Sequence, residues 1–458
     1  MTAKQNKAAR TIFLQVILIL SWMLVGEGLA WAGMDQNSGS DRPWIQVVEY
    51  AMQHNPQIQA AIATLEMSRQ RYGNQSLADL LPQVNSSVSY TSTKFESKMA
   101  GEREVTFVDP IVLSVGLSQP IFNLKSWLAY RQGNPLIAVY LQELEAIRQT
   151  VLLQVLERII GVVQAEEIAK IANSYHEAAT QHFQDTQKRF KVREVTRTDV
   201  NQAWANVGTT LANRTKTEQD IDIAKLNYTE IVGTATPDLL VVPWISLEDL
   251  WQRSWEEVEK DLAVRPDIRA RQEQKRAAEM GIEVVYAGHL PTLQFSSTVN
   301  HHIHHAMVGF GDPLNEYKVG MVLSMPIYSG GKVTSQRDQA LADLDVKQAE
   351  LDRIQLQAIR EVKEAALNYQ TAKNNDSLYV AVAESSRLAL QGTQQEFHVG
   401  TRTALDILES QSKFFAAQID LIKNRYAMLL AQFQLLNSLG RMTIEDVLAH
   451  KASPPTKN

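Results

Sequence analysis

Three side chains near the C-terminal end have the types and spacing to meet ions. In "EFHVGTRTALDILESQ", residues 396–411, Arg402 precedes two acids, Asp406 and Glu409. Residues three apart share one face of a helix, so both carboxylates project together. Gly400 interrupts the helical run, where a helix end often takes a positive φ. Thr401 or Thr403 can then cap the next helix. The plain alternative is a helix–turn–helix whose first-turn acids only complement the helix dipole. The stretch has an echo in "RFKVREVTRTDVNQ", residues 189–202, with Phe190 and Phe397 207 residues apart and Asp199 and Asp406 at the same interval.

A second candidate is "NHHIHHAMVGFGDPLN", whose His301, His302, His304 and His305 could bind zinc or copper through imidazole nitrogens. Its alternative is a solvated loop. "SGGK" after Tyr328 lacks the spacing of a phosphate-binding loop. Nothing supplies a general base or nucleophile, so neither catalysis nor a cofactor is expected.

These residues need elements to hold them, and the sequence repeats its elements. Asn55-Pro56 matches Arg265-Pro266; "LPQVNSSVSY" from Leu81 matches "LPTLQFSSTV" from Leu290; "LSQPIFN" from Leu117 matches "LSMPIYS" from Leu323. With the two turns these are four landmarks in one order at nearly constant offset, which marks a duplicated unit. Helices are expected over 44–80 and 247–289, each followed by two alternating segments. Val84, Val88 and Tyr90 alternate with Asn85, Ser87 and Ser89; Tyr317, Val319, Met321 and Leu323 alternate with Lys318, Gly320 and Ser324. One apolar and one small polar face, in segments of about ten residues, suit tilted strands of an outer-membrane barrel. Strands are expected near 82–93, 105–119, 291–302 and 315–325.

Very long helices are predicted over 123–190 and 332–397, with return helices over 199–232 and 404–439. Their dispersed Leu, Ile and Val among Ala, Gln, Glu and Lys suit coiled-coil packing. Gly133 and Pro135 are expected to kink or interrupt the first. Pro82, Pro120, Pro291 and Pro326 fall at the sheet–helix transitions and suggest fixed joints. Four strands cannot close a barrel around a pore, and an open sheet is not viable in lipid, so several chains must share one barrel.

Composition bounds the rest. The 458 residues carry a formal charge of −6 and no cysteine, which argues against nucleic acid and against disulfides or a lipid-modified cysteine. Lys4, Lys7 and Arg10 before an apolar stretch and "AWA" at 30–32 predict a cleaved secretory signal, residues 1–32. The expected organisation is therefore a signal peptide, a first repeat over 33–240, a second over 241–440 and a tail over 441–458.

Taken together, the chain resembles the TolC family of outer-membrane efflux proteins. "VGTRTALDILESQSKFFAAQIDLIKNRYAMLLAQFQLLNSLG" from Val399 is the most specific piece; Asn55-Pro56, "LSQPIF" and "LSMPIYSGGKV" also fit. The resemblance implies an α+β membrane protein: a homotrimer whose chains share a twelve-stranded β-barrel in the outer membrane, above an α-helical coiled-coil barrel in the periplasm. It implies an exit duct partnered by a periplasmic adaptor and an inner-membrane pump, with outer-membrane lipid around the barrel. It also places both turns at the narrow periplasmic end. There Thr198, Asp199 and Arg402 match a constriction network, and Asp406 with Glu409 matches an acidic entrance ring. Phe397 stands where the family often has an aromatic hydroxyl, and Arg193 where a glycine is usual. The competing readings are a secreted coiled-coil adaptor without a pore, or a metal-binding surface protein using the histidines. Recovery in the soluble periplasm would favour the former, and metal binding lost on replacing the four histidines the latter.

Overall fold

The computed structural model describes residues 43–99, 102–108, 111–237, 240, 242, 245, 262–303 and 314–449. The expected signal peptide lies outside them, as do His304, His305, residues 246–261 and the last part of the tail.

The chain opens with α1 (Pro43–His54) and α2 (Pro56–Ser68), separated at Asn55-Pro56 because proline lacks the N–H to continue a helix. A π-helical stretch, Arg69–Gln75, and a short turn, Ser76–Ala78, lead to the first strand. Then come β1 (Gln83–Tyr90), β2 (Thr93–Met99), β3 (Glu102–Val108) and β4 (Ile111–Phe122). Helix α4 (Leu124–Lys191) runs 68 residues and α5 (Arg197–Val232) returns over 36. The second half repeats this with α6 (Pro266–Tyr286), β5 (Thr292–Ile303), β6 (Leu314–Ser324), α7 (Lys332–His398, 67 residues), α8 (Ala404–Ser438, 35 residues) and a terminal α9 (Ile444–Ala449). At 1.5 Å per residue the two longest helices each reach about 100 Å, and their return helices about half that.

The main sheet has the order β1-β4-β5-β6, antiparallel throughout. Its register puts Val84, Val88, Tyr90, Leu113, Leu117, Val299, Tyr317, Val319 and Leu323 on one face. Asn85, Ser87, Ser114, Gly116, Thr298, Asn300 and Lys318 lie on the other. The apolar side chains stand open: Val88 is 72% exposed and Tyr317 74%. β1 and β6 are the outer strands of this sheet, each paired on one side within the chain.

Several expectations need correction here, the first being that the helix expected over 44–80 is broken at Asn55 into α1 and α2. The segment 105–119 is not one strand: β3 ends at Val108 and pairs with β2 as a separate hairpin, Thr93 opposite Val108 and Met99 opposite Glu102. The alternation in "EREVTFV" is real but serves this extra hairpin, of which the expected strand took in only residues 105–108. Gly133 and Pro135 do not interrupt α4, and both are buried within it. Gly133 instead lets two helices touch, since a Cβ there would collide with the carbonyl oxygen of Tyr72 in the π-helical stretch. Of the four prolines, Pro120 lies inside β4, at the register shift against β5, where a missing N–H is tolerated.

The core is a knot at mid-length. Trp44, Val48 and Ile58 of α1 and α2 pack with Leu152, Leu156 and Ile159 of α4, Tyr228 of α5, Val362 of α7, and Leu429, Phe433 and Leu436 of α8. Two side chains staple half-length helices end to end there. Asn55 Nδ2 donates to the Ile231 carbonyl at 2.9 Å, and Arg265 Nη1 to the Ser438 carbonyl at 2.7 Å. These acceptors are last-turn carbonyls of α5 and α8, which have no partner inside their own helices. Ile231 and Ser438 stand 207 residues apart, the interval of the sequence echo. Arg265 also grips Asp267 (2.7 and 3.0 Å) and Glu361 (2.9 Å).

Candidate gate at the helix turns

Each long hairpin, α4–α5 and α7–α8, ends in a turn built the same way. After α4, Arg193 N–H donates to the Phe190 carbonyl and Glu194 N–H to Arg189. After α7, Gly400 N–H donates to Phe397 and Thr401 N–H to Glu396. This paired closure requires a left-handed residue, and Arg193 takes φ +63° beside +82° for Gly400. Arginine in the glycine position therefore strains the first turn without reshaping it.

The return helices also start alike. Thr196 (φ −86°, ψ 165°) and Thr403 (φ −90°, ψ 162°) are the N-caps of α5 and α8. Each closes a capping box with the acid three residues on. Thr196 N–H and Oγ1 both donate to Asp199 Oδ2 at 2.8 Å, and Thr403 does the same to Asp406 Oδ2. Hydrogen bonds from Thr403, with the nearby Arg402 charge, hold the Asp406 carboxyl below the usual range. Both acids thus serve their own helix starts. Of the two threonines considered at the second turn, Thr403 is the cap, while Thr401 Oγ1 donates to the Glu396 carbonyl.

Within one chain Arg402 pairs with Glu396 at 2.8 Å, both half-exposed, rather than with Thr198 or Asp199. Glu396, with Asp406 behind it, stabilises the guanidinium charge. Glu409 is one turn from Lys413 and pairs with it at 2.7 Å. The Asp406–Glu409 face is therefore partly neutralised by neighbouring cations.

Between the two turns lies a cavity of about 480 Å³ lined by α4, α7 and the start of α8, including His182, Asp185, Arg189, Phe397, His398 and Gln411. The Phe397 ring has Arg189 Cζ 4.7 Å from its centre and His182 at 6.2 Å. Burial keeps the His182 imidazole below its ordinary pKa. Arg189, His398, His182 and Glu396 carried no periodic or motif signal and were missed from sequence. The echo of Arg189 beside Phe190 with Glu396 beside Phe397 was their one trace.

The histidines are split by strand register. His301 shares the apolar face and bonds Asn315 at 2.7 Å; His302 shares the polar face, 3.7 Å from Glu316. Among the described residues no group of three or more His, Cys, Asp or Glu is placed to hold a metal ion.

Known proteins share this fold. Residues 47–234 and 258–441 each match the outer membrane efflux protein family, one span per repeat. Outer membrane protein TolC of Escherichia coli is 24% identical over 436 residues, spanning 92% of this chain and 87% of that protein. The alkaline protease secretion protein AprF of Pseudomonas aeruginosa is 23% identical over 398 residues, 84% and 82% of the two chains. In fold, the CmeC outer membrane channel of Campylobacter jejuni superposes with a TM-score of 0.75 at 17% identity, covering 92% of this chain and 93% of CmeC. CusC gives 0.76 at 17% identity, with 91% and 99% covered. With both repeats matched across most of its length, this chain belongs to the outer membrane efflux protein family.

Proposed function

We infer that three copies of this outer-membrane protein form one exit duct, their four-stranded sheets closing edge to edge into twelve strands. The observation that carries this reading is the sheet itself. It has an exposed apolar face, a polar face and two outer strands with unpaired backbone, which lipid tolerates only in a closed barrel. It is continuous with helices long enough to cross a periplasm. A periplasmic adaptor and an inner-membrane pump complete the path, and the duct itself performs no chemistry. AprF and OpmQ are named for protease secretion and for pyoverdine export. Such different cargo suits a conduit whose selectivity is set by its pump.

Asp199, Thr198 and Arg402 are proposed to line the constriction, and Asp406 and Glu409 to form the entrance ring, where three copies converge. Support comes from the matched turns and the exposure of Arg402 and Glu409. Single-channel recording in planar bilayers tests this. Asp199→Ala or Arg402→Ala raises conductance, and an unchanged conductance in both refutes the constriction. Replacing Asp406 and Glu409 by alanine weakens cation selectivity. Recovery of the protein from soluble periplasm without detergent refutes the duct.

A further inference from the structure

Just below the sheet, two stripes of apolar side chains line one cleft. On α6 the stripe is Ile282, Tyr286 and Leu290, four residues apart and so on one helical face. On α4 it is Leu124 and Leu128, at the same spacing. The cleft has a volume of about 350 Å³, within the range of small-molecule pockets, about 300–1,000 Å³. Two charged side chains also line it: Glu283, beside Ile282, and Arg337, in the second turn of α7. Both are exposed, and among the described residues neither has an ion-pair partner.

The cleft stands where the apolar face of the sheet ends. Phe122 closes that face, opposite Leu293. Asn123 follows in a near-extended conformation (φ −148°, ψ 88°), and residues two apart along an extended segment share a side. Leu124 therefore carries the apolar side of Phe122 into the cleft. Exposed aromatic side chains gather at the same joints: Phe122, Trp127, Tyr286 and Tyr328, the last 86% exposed. Rings of this kind sit at the headgroup level of a bilayer. An apolar floor with a charged rim at that depth fits a phospholipid, and one cation with one carboxylate fits a headgroup that carries both charges.

We propose that this cleft binds one ethanolamine phospholipid of the periplasmic leaflet, with an acyl chain on the two apolar stripes, Arg337 at the phosphate and Glu283 at the ammonium. The proposal rests on the duct reading, which puts the apolar face in lipid, and adds a specific lipid at its lower edge. A guanidinium meets phosphate through parallel hydrogen bonds, and an ammonium donates to a carboxylate. A headgroup with phosphate and no ammonium sets its charge against Glu283, which costs binding. Apolar contact therefore supplies the affinity, and the charged pair selects the headgroup.

The test takes the full channel, delipidated in detergent and incubated with phosphatidylethanolamine or phosphatidylglycerol, and counts bound lipid by native mass spectrometry. Wild type retains one phosphatidylethanolamine per copy and holds it roughly tenfold more tightly than phosphatidylglycerol. Arg337→Gln weakens phosphatidylethanolamine roughly tenfold, as losing a charge-assisted hydrogen bond implies. Glu283→Gln removes the preference between the two lipids. Leu128→Trp fills the cleft and abolishes retention of both; Leu290→Trp repeats that arm should the first variant not fold. Equal retention of the two lipids by wild type, or retention that survives both tryptophan variants, overturns the site. A wild type that conducts in planar bilayers but retains no lipid also overturns it, the cleft then being covered by a second copy, and leaves the duct. A wild type that forms no channel overturns the duct and the site with it.

Discussion

Replacing Arg265 by alanine should loosen the mid-length knot at one identifiable joint. The guanidinium is 91% buried and makes four hydrogen bonds, to Asp267 (two), Glu361 and the Ser438 carbonyl. Breaking a buried ion pair costs about 3–5 kcal/mol. Asp267 and Glu361 are 32% and 31% exposed, so water compensates part of their loss and the lower end, about 3 kcal/mol, applies. A tenfold change corresponds to about 1.4 kcal/mol, so local opening becomes more frequent by roughly 100–200-fold. Amide hydrogen exchange reads this at Leu439, Gly440 and Arg441 at the end of α8, and at Arg269 in the first turn of α6. Arg214→Ala removes only a surface pair with Glu218 at 2.9 Å and should accelerate its own neighbourhood about twofold. Arg265→Lys should fall between, because a lysine offers no planar fork. Exchange within about threefold of the control at those four amides refutes the staple. Equal acceleration throughout the chain shows a global effect and refutes its locality.

Arg193→Gly relieves a left-handed arginine and should stabilise the first turn by about 1 kcal/mol, less the chain-entropy cost of glycine; slower exchange at Glu194 checks it. Gly133→Ala forces α4 away from the Tyr72 carbonyl and should cost about 1–3 kcal/mol, seen as a lower unfolding midpoint of the helical circular dichroism signal. Asp406 has a folded pKa depressed by Thr403 and Arg402. Its stabilisation of α8 is therefore present above the unfolded value of about 3.9 and lost as pH falls below it. First-turn protection in α8 should drop below about pH 4 in wild type and be pH-independent in Asp406→Asn.

Local chemistry made the helices legible. The expected long spans, 123–190 and 332–397, end within about a residue of α4 and α7, inside ordinary boundary scatter. Asn123 caps one start, and left-handed turns close both ends. Strand faces were legible because a period of two fixes which side chains share a surface. The β2–β3 hairpin was not, since the strand expected over 105–119 was run across Asp109-Pro110 and so joined the end of β3 to β4. At the tips, the first-turn acids and Gly400 could be found by spacing. Arg189 and His398 could not, because their meeting depends on how two hairpins lie together, which no helical period encodes. The pairing of Asn55 with Arg265 stood out as a repeat landmark, but its task became visible only beside the carbonyls of Ile231 and Ser438.

The unpaired edges of β1 and β6 bear on biogenesis as well as on architecture. Among the described residues the main sheet has four strands, and each exposed edge amide in hydrocarbon costs several kcal/mol. On the proposed three-copy reading, a single copy has no stable resting place in the bilayer, and membrane insertion cannot precede the meeting of copies. The rate of channel formation should depend steeply on concentration, and a variant with one ruined edge should poison the assemblies it joins. On the same reading, until its neighbours arrive a chain must keep its apolar face out of water by means other than its own fold.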